Sequence, residues 1–326
     1  MTAVLGILNK QAVAIAADSA VTIGGHQNHK IFNRANKVFT LSKHQPVGIM
    51  IYNSASFMAT PWETIIKIYR KQLGEKIFPT VVDYQNDFIK FLHSKHFFTD
   101  TEIQKVYLGN FSVNIINSVI NEIVQKNRAL FDNPNEDNKK EFLKLLEQQI
   151  DQLIHIWESR TDICPEFIDY SFDMFRSYSE NIFSDLVQTR FTQNAIEIPV
   201  RLLKKIKETV FLILKAQENL SNYTGLIFTG FGEEEIYPQL VPVNISMVTD
   251  NRLRYYIDKE HVANISNSNN GAVRPFAQTD VIDTILSGID PSLDNTYLTN
   301  FHALFNKYND LLISIIGNRS PDLSSQ

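Results

Sequence analysis

The sequence predicts an α+β fold built as a layered sandwich, and three observations carry that prediction. Strand-like periodicity fills the first fifty residues, helical periodicity takes over until about residue 217, and strands return from residue 223 before the chain closes in helices. At roughly 150 residues per domain, 326 residues would allow two domains. Strands that flank the helical stretch and share the same layers instead suggest one sandwich interrupted by an insertion. The expected organisation is an N-terminal part of the sandwich over 1–64, a helical insertion over 65–220, a C-terminal part over 221–316 and a flexible polar tail over 317–326.

The first strands are expected over 3–8, 12–17, 37–41 and 46–52. Short polar turns at 9–11 and 42–45 give hairpin spacing and a four-stranded antiparallel start. At Thr60-Pro61-Trp62-Glu63 the period turns helical. Thr60 can cap a free amide, Pro61 suits a first turn where its missing N–H costs nothing, and Glu63 can complete a capping box. Within the insertion, Phe142, Leu145, Leu146, Ile150, Leu153, Ile154 and Trp157 recur at three and four, as do Pro199, Leu203, Ile206, Val210 and Ile213. Thr99-Asp100-Thr101-Glu102 and Asn133-Pro134-Asn135-Glu136 mark helix starts. Later strands are expected over 225–229, 239–247 and 253–258, followed by a polar Asn/Ser stretch over 264–270. Helices are expected over about 279–286, ended by Gly288, and about 296–316.

Composition narrows the function. With 44% hydrophobic and 21% charged residues the chain can build a sizeable core, which excludes overall disorder. A net charge of -5 offers no basic footprint for nucleic acid or an anionic membrane. The densest basic stretch, over 201–207, reads as the solvated face of a helix. A single cysteine, Cys164, rules out an intramolecular disulfide and a thiolate metal cluster, and favours a reducing compartment. No run approaches the roughly 18 to 20 apolar residues that cross a bilayer, and the N-terminus lacks the basic region of a signal peptide. A cytoplasmic protein is expected, without membrane or nucleic-acid partners.

Thr2 is the first candidate for chemistry. Removal of Met1, expected when the second side chain is small, would leave a threonine bearing both a hydroxyl nucleophile and its own α-amine. That amine, with a pKa of about 8, can serve as the base an ordinary threonine lacks. Other candidates point nowhere in particular. His93 and His96 are three apart without carboxylate or thiol support, so no metal is expected. Glu233-Glu234-Glu235 reads as a solvated turn, and Gly230 and Gly232 lack the rest of a nucleotide fingerprint.

The N-terminal segment adds a pattern. Met1-Thr2-Ala3-Val4-Leu5-Gly6, then Ala16-Ala17-Asp18-Ser19, then Lys37-Val38, then Gly48-Ile49-Met50 and Trp62-Glu63, resemble the proteasome-type β subunits of the N-terminal nucleophile (Ntn) hydrolases. The resemblance covers about 65 residues. It implies an αββα sandwich with Thr2 as nucleophile, Asp18 and Lys37 as the motif aspartate and lysine, and an oxyanion held by backbone near Tyr52 or Asn53. Lys30 is the alternative lysine if the loop threads differently. The Ser-Gly pair at the head of the family's third helix falls at Phe276-Ala277, with Ser266 as a rival placement. A positive Lys37 beside the terminus would lower the amine's pKa, and Asp18 would hold the lysine charged.

The resemblance thus implies cleavage of an amide, most readily a peptide, through a Thr2 ester, with no metal or organic cofactor. Assembly into a homo-oligomer is a further expectation, because subunits of that family form rings. The alternative is a non-catalytic scaffold or binding protein that uses the inserted helices as its interaction surface.

Overall fold

The computed structural model describes residues 3–19, 21–23, 30–32, 36–94, 100–128, 135–191, 196–218 and 222–319. Two antiparallel sheets organise it. The smaller has the order β13-β1-β2, with β1 Ala3–Asn9 between β2 Val13–Ala17 and β13 Gly271–Ala277. The larger has the order β11-β10-β9-β6-β5: β11 Arg252–Ile257, β10 Gln239–Thr249, β9 Thr224–Gly230, β6 Val47–Asn53 and β5 Val38–Thr40, with β12 Ala263–Asn264 also on β10. Two further hairpins, β3 Val21–Ile23 with β4 Lys30–Phe32 and β7 Ser56–Phe57 with β8 Thr60–Pro61, stand apart from these. The two predicted early hairpins form, but in different sheets, so they do not make one four-stranded sheet.

The sheets face each other. Val4 and Leu8 of β1 and Phe276 of β13 join Met50, Tyr52, Ile227 and Leu240 of the large sheet in one buried cluster. Gly6, between Val4 and Leu8 on the same face, lets the sheets approach: a Cβ there would lie 2.5 Å from Leu240 Cδ1. Side chains alternate along β6. Met50 and Tyr52 enter the inter-sheet core, while Ile49 and Ile51 enter the core on the opposite face, as period-2 geometry requires.

On that opposite face lie the helices α1 Trp62–Leu73, α2 Val81–Ser94, α3 Thr101–Lys126, α4 Glu136–Glu158, α5 Phe172–Arg190 and α6 Val200–Lys215. An aromatic chain binds the first two to β9, Tyr69 meeting Phe88 at 4.9 Å and Phe88 meeting Phe228 at 5.4 Å. One continuous core joins the helices to the large sheet. The two periodic stripes meet as expected, with Phe142, Leu146 and Ile150 of α4 buried alongside Ile206, Val210 and Ile213 of α6. Arg254 of β11 ties the return from helix to sheet. Its guanidinium, 2% exposed, donates to the carbonyls of Leu214, Ala216 and Glu218 at the end of α6, and burial lowers its pKa. Such end-of-helix carbonyls lack intrahelical donors and carry the negative pole of the helix.

The helix starts differ in how they are capped. Asp100 accepts from Glu102 N and Ile103 N, and Asn135 accepts from Asn138 N, so the two helices start within the predicted stretches, on caps the sequence had not chosen between. The start of α1 does not follow the capping-box reading: Thr60 and Pro61 belong to β8, Pro61 occupies the cap position without a side-chain bond, and Trp62 N donates to Ala55 O. Glu63 instead pairs with Lys67 one turn on. The basic stretch over 201–207 is not simply solvated, since Lys205 bridges Glu147 and Asp151 of α4. Glu235 corrects the solvated-turn reading. It is half-buried and accepts from Gly232 N and from Val81 N at the start of α2, so it closes a helix terminus.

Three further differences concern the C-terminal part. The polar stretch does not lead straight to a helix, because β13 intervenes and completes the small sheet. The last helix, α8 Pro291–Arg319, begins five residues earlier than expected and continues through Gly317, which the tail reading had placed outside it. Residues 320–326 lie outside the described residues. Neither α7 Asp280–Ser287 nor α8 builds a packed layer on the small sheet: α7 has no buried residue and every residue over 292–315 is exposed. The left-handed Gly288, at φ 78°, ends α7 and Pro291 starts α8, so the chain turns sharply between them.

Candidate active site

The start of β1 is clipped to the end of β2. Asp18 N donates to Ala3 O at 3.0 Å, and Ala3 N donates back to Asp18 Oδ1 at 3.2 Å. The first bond continues the β1–β2 ladder, whose last paired residues are Val4 and Ala17. The second crosses from β1 to the residue that follows β2 and ties the start of one strand to the end of the other. Asp18 is thereby fixed beside the backbone amide that follows Thr2.

The same Asp18 Oδ1 receives Lys37 Nζ at 2.8 Å. Lys37 precedes β5 and is held by its own carbonyl, which accepts from Ile51 N of β6 at 2.8 Å. Its side chain is 6% exposed, while that of Asp18 is 33% exposed. An ammonium is removed from water only where an opposite charge and hydrogen bonds compensate it. The pair therefore joins the small sheet to the large one at a single edge.

Tyr52 and Asn53 end β6 in different roles. Tyr52 pairs with Gly225 on β9 and turns its own N–H and C=O toward that strand. Its ring fills the inter-sheet core against Phe276 at 5.6 Å, and its hydroxyl bonds Asn244 Oδ1. Burial, reinforced by Tyr223, holds the phenol above its ordinary pKa. The next amide, Asn53 N–H, alternates to the β5 edge, where Lys37 meets Ile51. Asn53 has a left-handed φ of 68° and its side chain donates to Tyr223 O at 2.9 Å. Asparagine tolerates that conformation better than most residues.

Comparison with protein-family models, curated proteins and solved structures found no match to this chain.

The predicted residues are thus partly assembled. Asp18 and Lys37 are in contact, and Tyr52 and Asn53 follow Ile51, the residue that binds the Lys37 carbonyl. Thr2 lies outside the described residues. Of Lys30 the backbone is described, in β4; Lys37 is the lysine on Asp18. Ala277, at the Phe276-Ala277 position where the resemblance placed the Ser-Gly pair, pairs with Ala3 and precedes α7. Its φ of 64° is unfavourable for a residue with a Cβ, and such conformations gather at functional sites. Ser266, the rival placement, lies in a loop before Gly271, which pairs with Asn9 at the far end of β1. His93 faces Glu166 at 3.5 Å, His96 lies outside the described residues, and no group of three metal-binding side chains occurs among the described residues. No helix among them is long and apolar enough to cross a membrane.

Proposed function

We propose that the chain is an amide-cleaving hydrolase of the Ntn type, with a proteasome-like αββα plan and Thr2 as its N-terminal nucleophile once Met1 is removed. The single observation that carries this reading is the Asp18–Lys37 pair, bonded to the amide of the residue after Thr2. A buried ammonium there has a chemical use: it disfavours a second positive charge nearby and so keeps the Thr2 amine neutral and able to accept a proton. The helical layer and two facing sheets are compatible with three layers of the proposed plan.

In the proposed reaction the Thr2 hydroxyl attacks the amide carbonyl while its α-amine accepts the hydroxyl proton. The oxyanion is received by backbone N–H, for which Asn53 is the better placed of the two predicted residues, because Tyr52 N–H is directed to β9. Collapse breaks the C–N bond and delivers the proton to the leaving amine. Water, deprotonated by the same α-amine, then releases the ester. A peptide is the substrate class that the resemblance favours.

Intact mass and labelling with a peptide epoxyketone, which needs both a hydroxyl and a free α-amine, test the reading. Loss of Met1 and one adduct per chain are expected, with no adduct in Thr2→Ala and labelling slowed about 100-fold or more in Lys37→Met. Retention of Met1, or an adduct that survives Thr2→Ala, overturns it, and a protein that never labels is better read as a scaffold.

A further inference from the structure

From α8 we infer that the protein is a dimer in which this helix pairs with the α8 of a second copy. The helix has 29 residues and so extends about 43 Å at 1.5 Å per residue. Its large apolar residues fall into three series, each spaced by seven: Tyr297, Leu304 and Leu311; Leu298, Phe305 and Leu312; Phe301, Tyr308 and Ile315. Together these are the a, d and e positions of a heptad repeat, the pattern that keeps an apolar seam turned toward another helix. Leu293, Ile313 and Ile316 are the large apolar residues of the helix outside these series.

Among the described residues no element covers that seam. Phe301 is 61% exposed, Leu304 67% and Tyr308 57%, and their neighbours on the stripe are exposed as well. With side chains of about 200 Å² each and roughly half of that open, the nine residues offer on the order of 900 Å² per copy. A standard stable interface needs about 800 Å² per partner. The apolar face is therefore large enough to hold a dimer by itself and larger than a monomer ordinarily exposes.

The polar side of the helix selects the occupant. A helix that lies on an anionic membrane carries lysine and arginine opposite its apolar face. Here that side is Asn295, Thr299, His302, Asn306, Asn309 and Asp310, while Lys307 flanks the seam. The exposed stretch 292–315 holds one lysine, Lys307, and two acidic residues, Asp294 and Asp310, so it carries little net charge either to repel a second copy or to attract a charged partner. A second, identical helix satisfies both the seven-residue spacing and the neutral flank.

Sedimentation velocity of the full chain from about 1 to 100 μM tests the inference. The expected species is a dimer of the 37.4 kDa chain, with association weakened at least about 30-fold in Leu304→Asp and in Tyr308→Asp. The urea midpoint of the wild type should rise with protein concentration while those of the two variants stay constant, and Asn306→Asp on the opposite face should leave the dimer intact. A monomer throughout the range overturns the inference and would agree with α8 covering its own small sheet. A dimer unaffected by Leu304→Asp and Tyr308→Asp overturns it by placing the interface elsewhere. Flotation with vesicles of zwitterionic and anionic lipid, lost in Leu304→Asp without a dimer in solution, would identify a membrane surface as the occupant instead.

Discussion

Asp18→Asn tests the charge pair on which the proposed chemistry depends. Asparagine keeps an oxygen for Ala3 N–H, so the substitution removes charge while leaving the β1–β2 clip a partner. It leaves the Lys37 ammonium, 6% exposed, facing a neutral amide in place of the carboxylate 2.8 Å away. Breaking a fully buried pair typically costs 3–5 kcal/mol, and water reaching the third of Asp18 that is exposed reduces this to about 2–4 kcal/mol. With a urea m-value of about 3 kcal/mol/M, the unfolding midpoint should fall by about 1 M. Lys37→Met in the same chain removes the ammonium that no longer faces a carboxylate, so the double variant should recover part of the loss. An Asp18→Asn midpoint equal to wild type, or a double variant whose loss equals the sum of the single losses, would refute the coupling.

Two other perturbations test packing and protonation. A Cβ at Gly225 would lie 1.9 Å from the Tyr52 ring, so Gly225→Ala should destabilise by about 1–3 kcal/mol, and Tyr52→Leu should relieve part of that loss; equal damage in both backgrounds would show that the ring is not the obstacle. Glu235 has its carboxyl pKa raised, chiefly by burial, so its stabilising effect is complete below the ordinary value of 4.5 and is lost as pH rises through the higher folded-state value. The urea stability of wild type minus that of Glu235→Gln should therefore fall between pH 4 and pH 7, whereas a constant or rising difference would contradict the assignment.

Asp18 and Lys37 were singled out through the resemblance of Ala16-Ala17-Asp18-Ser19 and Lys37-Val38 to family motifs, and their contact joins residues 19 apart in sequence. The period-2 pattern of β6 and β9 and the caps Asp100 and Asn135 act through neighbours in sequence, and they appear in the predicted stretches. Less readable was β13, because Pro275 obscures it. A proline suits an edge strand, where its missing N–H need leave no ladder bond unmade, but in sequence it reads as a break. Glu235 was misread for a related reason: three successive glutamates look solvated, and the donor that ties Glu235 to α2, Val81 N–H, lies 154 residues away in sequence.

By itself the sequence determined where most of the long strands and helices lie and that a long helical stretch separates two sets of strands. Tertiary structure decided that the first two hairpins divide between sheets, that Lys37 reaches Asp18, and that no described element covers the apolar stripe of α8. The physical reason is range. Periodicity and capping are set by residues within one or two turns, whereas a buried ion pair, a close approach such as Gly225 to Tyr52, and an exposed seam depend on which distant segments share a face.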